Sequence, residues 1–92
     1  MIDEKQLYQK ALNKWGIDSQ ILMTIEESSE LILVLAKINR NYNGSSIKQI
    51  IDEMVDVSIM IEQLKIILNC NEDFEKIKTE KLIRLEFRIN NG

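Results

Sequence analysis

"ILMTIEESSELILVLAK", residues Ile21 to Lys37, is among the most apolar stretches of the chain, yet Glu26, Glu27 and Glu30 stand in its middle. A second stretch, "IIDEMVDVSIMIEQL" from Ile50 to Leu64, repeats the arrangement with Glu53 and Asp56 among isoleucine, valine and methionine. In the first, Ile21, Ile25, Ile32, Leu35 and Ala36 recur at helical spacing and predict a helix from about Ser19 to Arg40 with an apolar stripe. In the second, apolar residues cover nearly the whole circumference, which predicts a buried helix running from Ser46 to about Asn69. Residues three apart on a helix are turned about 60° from one another. Glu27 with Glu30, and Glu53 with Asp56, therefore form matching carboxylate pairs on adjacent turns. Glu26 lies within the same arc of about 100° as Glu27 and Glu30.

Working outward, two shorter helices complete an all-α reading, and no strand is expected. Asp3 caps a first helix over about Glu4–Lys14, with Gln6 placed to reach back to it. Gly16 in "WGID" suits a left-handed C-terminal cap, and Asp18 can cap the next helix. "NRNYNGSS" is the one clear loop, and Ser46 with Gln49 forms a capping-box pattern at its end. Asn71 can cap a fourth helix running to about Ile89, with Glu72 and Asp73 favourably placed against its dipole. With 92 residues and no proline, this is one small domain, residues 1–92, of uninterrupted helices. The expected architecture is a four-helix bundle-like domain, with helices two and three antiparallel across their short connection. Since a four-helix monomer covers only one side of helix three, an oligomer is expected, a homodimer or homotetramer.

Composition narrows the function. A net charge of −3 argues against binding a nucleic-acid polymer, which needs a basic excess. No apolar run reaches membrane-spanning length without a charge, so no membrane partner is expected. The single cysteine, Cys70, and the absence of a signal-like N-terminal pattern in "MIDEKQLYQK" point to the cytoplasm. Cys70 reads as a small loop residue, because the chain has no histidine to activate a thiol.

Four or five carboxylates at close range repel, and burying them ionised is costly. No basic residue lies between Thr24 and Leu35 or between Ile50 and Leu64. One compensation is a divalent cation, and oxygen-only ligands select Mg²⁺ first and Mn²⁺ second. The competing reading is a solvated acidic stripe, or acids serving the helix dipole. Di-iron bundles of the Glu-x-x-His type are excluded by the lack of histidine.

"EESSE" followed by "EMVD" on consecutive helices resembles the Glu-Glu-x-x-Glu … Glu-x-x-Asp signature of the MazG-like all-α NTP pyrophosphohydrolases, a superfamily that includes the dimeric dUTPases and the dCTP pyrophosphatases. The resemblance runs from about Trp15 to Arg88, with "WGIDSQ" similar to the family's lead-in and "KLIRLEFR" to its terminal helix. It implies Glu27, Glu30, Glu53 and Asp56 as metal ligands. Glu26 would orient a water from the outer shell, so Glu26 and Glu27 are the catalytic candidates. It implies hydrolysis of a nucleoside triphosphate to monophosphate and pyrophosphate, and a role in clearing non-canonical or excess nucleotides. The chain is minimal beside larger relatives, with little room for a loop that selects the base.

Lys81, Arg84 and Arg88 share a strip roughly 60° wide on helix four, with Lys78 at its edge. Phe74, Ile77 and Leu85 are expected on the opposite face. The strip reads either as contact for a triphosphate's charge or as a solvated basic face. Trp15 packs in a core or interface, or stacks on a base. Gln20 meets a base edge, or simply enters the helix. The alternative to an enzyme is a catalytically silent oligomerisation module, or a nucleotide- or metal-binding module, of the same fold.

Overall fold

The computed structural model describes residues 1–40 and 46–92, except for the side chains of Asn39 and Arg40. Four helices follow in order: α1 (Glu4–Trp15), α2 (Ile17–Arg40), α3 (Ile47–Leu68) and α4 (Asn71–Asn91), and no strand occurs among the described residues. Most of the expected loop, residues 41–45, lies outside them.

Several ends are set as the local chemistry dictates. The Asp3 side chain accepts from the Gln6 backbone N–H at 3.1 Å. Ser46 and Gln49 form a complete capping box, with each side chain taking the other residue's backbone N–H. Asn69 closes α3 in the left-handed conformation, φ 49°.

Other ends differ from expectation. Gly16 has positive φ but lies at φ 91°, ψ 160°, outside the left-handed helical region. Its N–H donates to Leu12 O and its carbonyl accepts from Gln20 N–H, so one glycine ends α1 and starts α2. That leaves Asp18 inside the first turn of α2, not capping it. Likewise α4 starts at Asn71 behind Cys70, which offers no side-chain cap; the Cys70 carbonyl accepts from Phe74 N–H instead.

The centre of the fold is the antiparallel seam of α2 and α3. Its α2 side carries Gln20, Thr24, Glu27, Leu31, Val34 and Ile38, all buried or half-buried. Its α3 side carries Ile50, Glu53, Val57, Met60, Leu64 and Ile67. These alternate in steps of three and four, the spacing of a packed helix pair. The expected apolar stripe is therefore not the inward one: Ile21, Ile25, Ile32 and Leu35 are all exposed. Leu31 and Val34, expected outside the stripe, sit in the seam. Helix three is not buried all round either, since Ile51, Met54, Val55 and Ile59 are exposed. Thr24 tolerates the seam because its hydroxyl donates back to the Gln20 carbonyl at 2.8 Å.

Helix α1 packs on both seam helices, whereas α4 packs on α3 alone. Among the described residues, no helix is long and apolar enough to cross a membrane.

Candidate functional site

The seam carries two acids to one place. Glu27 from α2 and Glu53 from α3 occupy inward register positions and are half-buried. Asp56, one turn beyond Glu53, is exposed at the seam's edge. Each of the three offers a carboxylate oxygen, and these lie within 4.8 Å of one another. Glu30 stands outside this trio but bears on it electrostatically. Glu26 is exposed and lines a neighbouring cleft instead.

The electrostatics register the crowding. Burial raises the Glu27 carboxyl above its ordinary value of 4.5, and the charges of Asp56, Glu53 and Glu30 push it further. Desolvation also raises Glu53, followed by repulsion from Asp56, Glu30 and Asp52. The closeness of the Asp56 carboxylate adds to the upward push on Glu27. Among the described residues no cation pairs with the group: the ion pairs there are Lys48–Asp52 and Lys65–Glu62. An all-oxygen set from two helices, crowded and uncompensated, has the donor chemistry that suits a hard divalent ion.

An open cleft of about 460 Å³, within the roughly 300–1,000 Å³ range of small-molecule sites, is lined by Glu26 but by none of the three clustered acids. Trp15, Met23 and Glu26 line it, together with Gln20, Met60 and Gln63. Trp15 is 58% exposed, so it is not a core residue of the isolated chain. Its ring carries the Lys14 ammonium 5.6 Å from the centroid. Gln20 is not a plain helix-entry residue: it is 5% exposed, and its Nε2 donates to Gln63 Oε1 at 2.7 Å. Gln63, equally buried, escaped the sequence reading. The signal available was a lone amide among the apolar residues of "IMIEQLKIIL", two turns from Asp56 on the same side.

Lys81, Arg84 and Arg88 are exposed on α4, and the chain brings none of them into an ion pair with the acids. The expected separation of faces on α4 also fails. Phe74, Ile77, Leu82 and Leu85 line one groove with Lys78 and Lys81. Residues 74, 81 and 85 differ by seven and eleven positions, which is nearly a whole number of turns. Cations and apolar side chains thus share a face. Comparison with protein-family models, with curated proteins and with solved structures returns no match.

Proposed function

We propose that the chain is a magnesium-dependent nucleoside triphosphate pyrophosphohydrolase that works in the cytoplasm as a homodimer or homotetramer. The observation that carries this reading is the convergence of Glu27, Glu53 and Asp56 from two antiparallel helices, with no ion pair to them among the described residues. A scaffold would gain by replacing such acids with apolar residues. The resemblance of "EESSE" and "EMVD" to the MazG-like signature supports the same reading.

In this reading Glu27, Glu53 and Asp56 hold Mg²⁺, with Mn²⁺ a substitute, and Glu30 completes the set. The ion supplies charge for the phosphates and lowers the pKa of water. Glu26, at the cleft's edge, orients the attacking water. Trp15 offers a stacking face and Gln20 a hydrogen-bonding edge to the base. Lys81, Arg84 and Arg88 meet the charge that builds on departing pyrophosphate. Water adds at the α-phosphorus, the α–β bridge breaks, and monophosphate and pyrophosphate leave.

A panel of ribo- and deoxyribonucleoside triphosphates with Mg²⁺, read for both monophosphate and pyrophosphate, tests the reading. Release of orthophosphate alone, or no turnover of any nucleotide, would refute it. The raised Glu27 and Glu53 carboxyls favour a second reading, a silent helical module of the same fold in which proton uptake rather than a metal relieves the crowding. Such a module would neither turn over nucleotides nor gain stability from Mg²⁺.

A further inference from the structure

Trp15 lines two cavities at once. One is the cleft of about 460 Å³ that it shares with Gln20, Met23 and Glu26. The other is a trough of about 660 Å³ lined by Leu7, Ala11 and Trp15 from α1 and by Val55 and Ile59 from α3. Gln63 borders both as well, so the two cavities adjoin along Trp15 and Gln63. The charged residues of the trough, Glu4, Lys10 and Lys14, all belong to α1. Its α3 wall is uncharged. Leu7 is 51% exposed and Val55 49%, so apolar area on both walls is open to a ligand.

The cleft itself is poorly equipped to tell one base from another. Its two amides are tied to each other, Gln20 Nε2 to Gln63 Oε1, and both are nearly buried. Gln63 Nε2 is also held, 3.9 Å from Met60 Sδ. The pair leaves a base only a narrow polar edge. Stacking on Trp15 tolerates any base, because every base has a π face. A polar site rejects a wrong base by leaving its own groups unpaired, whereas an apolar pocket selects by bulk. Selection in this chain therefore falls to the apolar space beside the ring.

We infer that the trough receives an apolar group carried on the nucleobase, so that the preferred substrate is a nucleoside triphosphate whose base bears such a group. The inference rests on the nucleotide-hydrolase reading for the triphosphate end of the ligand. Continuity with the cleft selects this occupant. A base stacked on Trp15 has the trough at the edge of the same ring, and a substituent on that base reaches Val55 and Ile59 along Trp15 and Gln63. Such a group lies away from the reacting phosphorus. Its contacts are the same before and during the reaction, so they lower KM and leave kcat unchanged.

Steady-state hydrolysis with Mg²⁺ compares ATP with its N6-benzyl derivative and dUTP with its C5-benzyl derivative. At least one benzyl nucleotide should show a KM about 10–200-fold below that of its parent, the range for a small apolar group in a fitting pocket, at similar kcat. The double variant Leu7→Phe with Val55→Phe narrows the trough from both walls. There the advantage should vanish, while ATP and dUTP turn over as in the wild type. Equal KM for parent and benzyl nucleotides, or an advantage that survives in the double variant, would overturn the inference and leave the hydrolase reading standing. Trp15 is the only tryptophan, so its quenching reports binding without turnover. If no nucleotide is hydrolysed, the proposed function falls. Half-quenching by a benzyl nucleotide at about tenfold lower concentration than by its parent, lost in the double variant, would still uphold the trough. Equal quenching would overturn it as well.

Discussion

The α2–α3 seam and helix α4 spend the same kinds of residue in opposite ways. The seam places carboxyl groups at inward positions, where Glu27 and Glu53 hold registers that leucine would fill in an ordinary helix pair. Helix α4 leaves leucine, isoleucine and phenylalanine facing solvent. Neither arrangement maximises the stability of an isolated chain. The seam sacrifices stability for a concentration of negative charge, and α4 keeps apolar area uncovered within its own subunit. The contrast teaches that burial pattern and apolar pattern are separate signals. Where they disagree, the disagreement singles out the surfaces at which binding is to be tested.

The sharpest way to break this contrast is to remove the seam's charge. Glu53→Gln keeps side-chain volume, and nucleotide turnover should fall about 10²–10³-fold, the usual loss for a group acting on developing charge. The metal-free variant should melt higher than the wild type, because one repelling carboxylate has gone. Unchanged turnover would detach the acids from the chemistry.

Magnesium supplies the next largest effect. At a hundredfold excess over its dissociation constant it should add about 2.7 kcal/mol, a rise of about 10 °C or more in the melting midpoint for a domain of this size. Identical melts with EDTA and with millimolar Mg²⁺ would argue against a metal site. The pH dependence has a defined sign. Glu27 and Glu53 titrate above their ordinary 4.5 in the folded chain. Their contribution to metal-free stability is therefore fully present below that value and is lost as pH rises through the raised values. Mg²⁺ should flatten this fall by binding the ionised form. A metal-free protein that instead grows more stable across that window would contradict the crowding.

Gln20 and Gln63 probe the seam without touching its charge. Gln20→Leu leaves the Gln63 amide buried without its partner and should cost about 1–3 kcal/mol. Adding Gln63→Leu should recover most of that loss. Chemical denaturation of the single and double variants measures the coupling. A double variant that stays as unstable as the single one would show that the pair does more than satisfy itself.

The elbow carries the smallest expected effect. Phe74→Leu removes the ring beneath the Lys65 ammonium and should cost about 0.5–1 kcal/mol. Circular dichroism melts can resolve it, with helix content unchanged at low temperature.

Much of the fold was legible in the sequence where chemistry is local. Asp3, and Ser46 with Gln49, announce helix starts through groups within one turn. The acid spacing paired Glu27 with Glu30 and Glu53 with Asp56, and the structure brings Glu27, Glu53 and Asp56 together but leaves Glu30 outside the group. What misled was the search for the most apolar stripe. The inward face of α2 contains glutamine, threonine and glutamate, so an apolar periodicity selects Ile21, Ile25 and Ile32 instead. On α4 the basic strip drew attention from the leucines beside it. Gly16 was recognised as a breaker, but a residue ending one helix and starting another with no spacer requires its actual φ and ψ.

The Gln20–Gln63 hydrogen bond has one more consequence, for alignment. Glu27 lies seven residues after Gln20, and Asp56 lies seven residues before Gln63. The amide pair and the acid pair are thus two turns apart on both helices, like two rungs of a ladder. Sliding α3 along α2 by one residue, about 1.5 Å, would separate both rungs together. It would strand two buried amides, at about 1–3 kcal/mol each. A neutral pair thereby works as a locating pin for a charged one, as a buried asparagine sets the register of a coiled coil. Mutual repulsion would otherwise drive Glu27 and Asp56 out of step, and the pin holds them opposed.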